Sequence, residues 1–219
     1  ALAAQGWAWG YHPRNPPLHT WLLMASYSVF GVGLLAHAVL KYALLGAVYG
    51  FAYLSGRRVL NSNALAAMAA MSFTLLTPFA WTVHTALTHT LLLAVVILAT
   101  LWAAMRLTAQ RRWLDYAVFG VAIGLGFLAK YSYPLFLGPL LAAMLCQAAF
   151  RSVVFNPRML LALAVAVLVF VPHALWMLDA RFDFVTFLAE KQHSAAPHPY
   201  LFDLTTGLGN VALGAISFL

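Results

Sequence analysis

Charge is what this chain has least of. Of its 219 residues only five are acidic and 8% are charged, against about 25% in average usage, so an ordinary water-soluble domain is excluded. Cysteine is nearly absent too: Cys146 stands alone, which rules out an internal disulfide, and its place inside an apolar run reads as inert packing. The chain has no Gly-rich phosphate loop, no Walker sequence and no Asp-x-Asp nucleotide-sugar signature. A soluble nucleotide donor therefore has no visible cradle, and an activated substrate would have to arrive through the lipid. There is no basic n-region with a signal-peptide h-region behind it, and no internal repeat of the kind that marks many transporters.

What is there is apolar. The chain is 64% hydrophobic with a mean hydropathy of +0.87, which makes it an integral membrane protein. A span needs about 20 mostly apolar residues, so six or seven spans are expected in one bundle. The apolar runs are Leu18 to His37, Val39 to Ser55, Ala64 to Thr82, Ala86 to Met105, Leu114 to Ala129, Leu135 to Phe150, Met159 to Leu178 and Leu204 to Leu219. Only helices or closed barrels satisfy their backbone in lipid, and these runs show no period-two alternation, so an all-α bundle is expected. The formal charge of +7 comes from basic residues scattered between the runs. That is how topology signals look, and a nucleic-acid partner is excluded.

Arg57 and Arg58, then Arg106, Arg111 and Arg112, then Arg151 and Arg158 fall in every second connection, seven basic residues against the single acid Asp115. The positive-inside rule makes those connections cytoplasmic. The other connections, with Lys130 in one and Asp179, Arg181, Asp183, Glu190, Lys191 and Asp203 in another, then face outward. Residues 18 to 55 are barely two spans plus a turn, and Ser26-Tyr27-Ser28 weakens the first. The expected layout is an external loop over 1–17, an interfacial helix over 18–33 and a helix bundle over 34–219. The chain starts at Ala1 and stops at Leu219 within an apolar run, so an internal fragment of a longer protein is expected.

The opening stretch Trp7-Ala-Trp-Gly-Tyr-His-Pro-Arg-Asn-Pro-Pro-Leu-His-Thr-Trp21 is polar and stiffened by proline. Pro13, Pro16 and Pro17 hold their neighbours extended, which leaves His12, Arg14 and Asn15 free to point at a ligand. Equally, Pro16-Pro17 can simply start a helix in which Leu18, Leu22 and Ala25 pack. Lys130 sits in Leu-Ala-Lys-Tyr-Ser-Tyr-Pro, where Pro134 starts the next helix. An ionisable residue inside an apolar stretch is a functional candidate, and a compact ammonium there suits a phosphate; snorkelling to the headgroups is the structural alternative. His84 and His89 are about 140° apart on a helix and do not form an i, i+4 metal pair. His193 and His198 lie in a proline-broken loop. Gly120 and Gly124 form a small-xxx-small pattern that serves close helix packing.

Together these stretches resemble glycosyltransferase family 39, the protein-mannosyltransferase-like group with the GT-C fold that includes the aminoarabinose transferases. Trp9-Gly-Tyr-His with Asn15-Pro-Pro-Leu-His-Thr-Trp21 resembles the element closing the first external loop. Arg57-Arg58 followed by Ala64-Leu-Ala-Ala resembles the arginine-marked cytoplasmic turn, and Thr88-His-Thr-Leu-Leu-Leu the Thr-Asp-x-Leu-Leu element. Gly124-Leu-Gly-Phe-Leu-Ala-Lys-Tyr-Ser-Tyr-Pro-Leu and Pro172-His-Ala-Leu-Trp-Met-Leu match most closely. The resemblance implies transfer of a sugar from a polyprenyl-phosphate donor to a lipid, glycan or protein acceptor outside the membrane, in a bacterial inner membrane with the site facing the periplasm. By position it implies that Lys130, Arg14, Asn15 and Tyr131 bind the donor or its lipid phosphate, with His12, His89 and His193 as substrate-site candidates. The family's catalytic acid precedes the stretch matching Trp7 to Tyr11, so it is expected before Ala1. Asn15 stands where His or Lys is frequent, and His89 where Asp is frequent. A divalent metal is left open, with Glu190 and His193 in a loop where a family metal site could be completed. Two rivals remain: a transporter or lipid flippase, and a structural membrane subunit.

Overall fold

The computed structural model describes residues 6–11, 15–76, 78–85 and 89–179, and the described helices all lie in one unit, Ala1–Ala180. His12, Arg14, Glu190, His193 and the run from Leu204 to Leu219 lie outside the described residues. Among those that are described, every regular element is a helix: α1 (Leu18–Phe30), α2 (Leu34–Leu60), α3 (Asn63–Met71), α4 (Val83–Thr85), α5 (His89–Gln110), α6 (Trp113–Ala129), α7 (Pro134–Cys146), α8 (Ala148–Val154) and α9 (Met159–Asp179), with a 3₁₀ turn and a π turn between α3 and α4.

Three of these are long and apolar enough to cross a membrane, namely α2, α5 and α9, and the bent pair α7 and α8 makes a fourth if counted as one span. Among the described residues the count stays below the expected six or seven, for local reasons. In the run from Ala64 to Thr82, Ser72 Oγ and Thr74 Oγ1 donate back to the carbonyls of Ala69 and Met71, both at 2.7 Å. Hydroxyls that bond the preceding turn loosen a helix, and the run breaks into short turns before Pro78. α6 has 17 residues, and α7 and α8 meet at 111°. Cys146 ends α7 at this bend and is exposed, not packed as its apolar neighbours suggest.

Pro16 and Pro17 are fully buried and α1 starts directly after them. Its buried face is Leu18, His19, Leu23 and Ser26; Leu22 is half-buried, while Ala25 is exposed. The chain turns into α2 through Gly31, whose φ of +75° is in the region that favours glycine and lets its N–H cap the Tyr27 carbonyl at 2.9 Å. Ser26 Oγ donates to the Ala36 carbonyl at 2.8 Å, which fixes this corner.

The strongest packing is α6 on α9 and on α5, and α2 on α5. A Cβ on Gly120 would come within 2.3 Å of the Ala162 carbonyl oxygen, and one on Gly124 within 2.7 Å of Val169. The glycine ladder is therefore a close-packing surface between α6 and α9. Because α5 and α6 are consecutive and packed together, His89 and Lys130 lie at one end of the hairpin and Gln110 and Trp113 at the other, about 33 Å away along α5.

The second end collects the arginines. Arg106 pairs with the buried Asp115 at 2.6 Å, Arg111 donates to Ser152 Oγ at 2.8 Å, and Arg158 donates to the Arg111 carbonyl. Arg57 and Arg58 share a groove of about 850 Å³ with Met105, Thr108, Gln147 and Phe150.

Candidate functional site

The first end is held together by a chain of contacts between distant parts of the sequence. His173, fully buried on α9, has Nδ1 at 2.8 Å from the Trp9 carbonyl and Nε2 at 3.2 Å from the Tyr131 hydroxyl. A carbonyl only accepts, so Nδ1 carries the proton, and in the neutral ring Nε2 accepts from Tyr131. Trp176, one turn further along α9, stacks on His173 with ring centroids 5.7 Å apart. Its ring also covers Gly10, where an added Cβ would meet it at 2.1 Å. Only glycine lets the opening loop lie this close.

The loop is also tied to α1. Trp21 Nε1 donates to the Ala8 carbonyl at 2.9 Å, Ala8 N–H donates to the Tyr11 hydroxyl at 3.1 Å, and that hydroxyl donates to Met24 Sδ at 3.1 Å. Trp7 and Trp9 pack on Trp21 with centroids 6.2 and 5.9 Å away. The aromatic spacing of the opening stretch is thus a clamp onto the first helix.

Lys130 caps α6 in extended conformation, and Pro134 begins α7 four residues on. Its half-buried ammonium donates to Thr90 Oγ1 at 3.1 Å, which bridges the open ends of α5 and α6. Tyr133 anchors the same turn: its hydroxyl meets buried Thr100 at 2.8 Å, and its ring lies where a Cβ of Gly126 would be, at 2.2 Å. Burial pushes the Tyr131 phenol above its ordinary range, so it remains a proton donor.

Next to Thr90 is His89, whose ring lies 4.4 Å from that of His19 on α1, tilted by 42°. His19 is 6% exposed, and desolvation pulls its imidazole down to about 4, with smaller contributions from His89 and His37. His19 is therefore neutral at physiological pH. His84 stands apart from this pair; its carbonyl accepts from Lys41 Nζ at 3.1 Å.

Of the residues singled out in the sequence, Lys130, Tyr131 and His89 are thus at one end of the bundle, joined to the opening loop through His173. Asn15 is half-buried just before the buried proline pair. Sequence reasoning gave no role to His19, Thr90, Tyr133 or His173, although each stands in a stretch that carries the family resemblance. A motif quoted whole does not say which of its side chains meet. Among the described residues no three His, Cys, Asp or Glu side chains come together to hold a metal.

Between α6, α7 and α9 runs an apolar groove of about 810 Å³, from Phe127, Leu137 and Phe170 near the Lys130 turn to Val154 and Pro157 towards the arginine end.

The chain is 32% identical over its whole length to the lipopolysaccharide core galacturonosyltransferase RgtB of Rhizobium johnstonii, covering 44% of that protein. It is 34% identical over 77% of its length to the lipopolysaccharide core galacturonosyltransferase RgtA of the same organism, covering 34% of it. The chain thus spans less than half the length of these curated relatives. No solved structure matches it. The family described as dolichyl-phosphate-mannose-protein mannosyltransferase matches residues 14–176, about three quarters of the sequence, and the chain belongs to that family of membrane glycosyltransferases.

Proposed function

We propose that this chain is part of a membrane glycosyltransferase that moves a sugar from a polyprenyl-phosphate donor to a glycan or lipid acceptor on the extracytoplasmic side. The names of its relatives favour a galacturonosyl group as the sugar and the lipopolysaccharide core as the acceptor. One observation carries the reading: the contacts from Trp9 through His173 to Tyr131 bring the opening loop to the residue beside Lys130. That end lies opposite the arginine-rich connections, which the positive-inside rule assigns to the cytoplasm.

In this reading Lys130 holds the carrier phosphate, Arg14 and Asn15 are the further donor-site residues that the family resemblance implies, and the apolar groove between α6, α7 and α9 suits an isoprenoid chain. The acceptor hydroxyl attacks the anomeric carbon and the bond from that carbon to the phosphate oxygen breaks. The phosphate leaves with the electron pair, and the hydroxyl proton goes to a base. Lys130 stabilises charge that grows on the leaving phosphate, which is where a fixed cation lowers the barrier. The site faces the periplasm and the bundle sits in a bacterial inner membrane. The test is transfer of labelled galacturonosyl from a polyprenyl-phosphate donor to lipopolysaccharide core by the full-length protein in proteoliposomes. Release of product supports the assignment, and absence of transfer with an active membrane preparation rejects it.

A further inference from the structure

Three buried side-chain polar atoms among the described residues have no hydrogen-bond partner, and two of them are His19 Nε2 and His89 Nδ1. Their rings are 4.4 Å apart. An unpaired buried polar atom is destabilising, so two in one contact need a reason beyond packing. The neighbour of His89, Thr90, accepts from the Lys130 ammonium, which sets a cation one residue from the imidazole. Of the two carboxylates among the described residues, Asp115 is paired with Arg106 at the far end, and Asp179 ends α9 three residues beyond Trp176.

We propose that His89, positioned by His19, reads the carboxylate of a uronosyl donor whose phosphate is held at Lys130. This rests on the transferase reading above. A uronosyl group differs from its neutral counterpart in bearing a carboxylate where the latter has a hydroxymethyl, one pyranose ring away from the anomeric phosphate. Such a donor presents two anionic groups a ring apart, and the site presents the Lys130 ammonium on Thr90 and the imidazole of His89, the residue next to Thr90. The imidazole N–H donates to the carboxylate, and a carboxylate at hydrogen-bond distance favours the protonated ring. His19 packs behind His89 as a neutral ring and keeps it facing the ligand. A hydroxymethyl group supplies no such charge.

The full-length protein in proteoliposomes is offered two polyprenyl-phosphate donors, galacturonosyl and galactosyl. Both kcat/KM and competition against labelled galacturonosyl donor are measured. Wild type prefers the uronosyl donor by about 100-fold or more, as sites built for a polar group do. His89→Asp sets a carboxylate against a carboxylate, and the preference falls at least about 10-fold, mainly through KM. His89→Gln keeps an N–H donor and retains most of the preference; His19→Leu lowers it with His89 intact. For a variant that no longer turns over, competition binding supplies the same ratio. Equal binding of both donors by wild type, or a preference unchanged in His89→Asp, overturns the assignment. A wild type that uses neither donor overturns the transferase reading itself, whereas transfer indifferent to His89 overturns only this step.

Discussion

The Nδ1 of His173 lies 2.8 Å from the carbonyl oxygen of Trp9, 164 residues away along the chain. That bond fixes the tautomer, which in turn makes Nε2 the acceptor for Tyr131. One imidazole thus joins the opening loop, α9 and the turn that carries Lys130. His173→Phe keeps the stacking on Trp176 but strands a carbonyl and a hydroxyl. The expected loss is about 1–3 kcal/mol in detergent unfolding, with a larger donor KM, because the loop is no longer pinned beside Lys130.

The Lys130 ammonium donates to Thr90, and the residue is half-buried. Its removal costs little packing. Loss of a fixed charge donor from a transition state typically lowers rate by about 10²–10³. Lys130→Ala should therefore depress kcat by that order in the transfer assay while the melting midpoint stays close to wild type. Unchanged turnover would remove Lys130 from the carrier-phosphate role.

The depressed His19 imidazole makes stability depend on pH. Folded His19 titrates at about 4 rather than 6.5, so between these values the unfolded chain binds the extra proton. Its contribution is fully present above pH 6.5 and is lost as the pH falls towards 4. At pH 5 the loss amounts to about 2 kcal/mol. His19→Leu should flatten this part of the profile, measured as detergent melting midpoints from pH 7 to 5.

Gly120 and Gly46 form a matched pair of tests. A methyl on Gly120 meets backbone of Ala162 that cannot yield, whereas one on Gly46 in α2 meets nothing within 4 Å. Gly120→Ala is expected to destabilise by about 1–3 kcal/mol through overpacking. Gly46→Ala is expected to be neutral or slightly stabilising through lower chain entropy. Melting midpoints of the two variants decide.

Orientation is testable because Cys146 is the single cysteine. In a Cys146→Ala background, Ser132→Cys at the Lys130 turn should react with an impermeant maleimide in intact spheroplasts. Asn63→Cys, exposed at the start of α3 beside the arginine end, should react only after permeabilisation. The reverse pattern would invert the proposed topology.

How much of this was legible beforehand varied with the length scale of the physics involved. Pro134 as a helix start and Gly120 with Gly124 as a packing surface are local facts of backbone and volume, and both are seen. The run from Ala64 to Thr82 is as apolar as a span, yet it breaks where Ser72 and Thr74 bond their own backbone, a choice that hydropathy does not weigh. The bend after Cys146 has no glycine or proline at its apex; Gln147 simply turns extended. At the site, Lys130 stood out because a charge in an apolar stretch is costly, whereas His19 and His173 acquire meaning only from partners 70 and 164 residues distant in sequence. The stretches that hold these rings could be recognised, but not which rings pair across such distances.

The seating of Gly10 beneath Trp176 has a consequence for biosynthesis. Gly10 leaves the ribosome some 165 residues before the ring that covers it, and chains are made N-terminal end first at about 5–20 residues per second. For many seconds the Gly10 segment has no indole to rest against, so its seating cannot precede synthesis of α9.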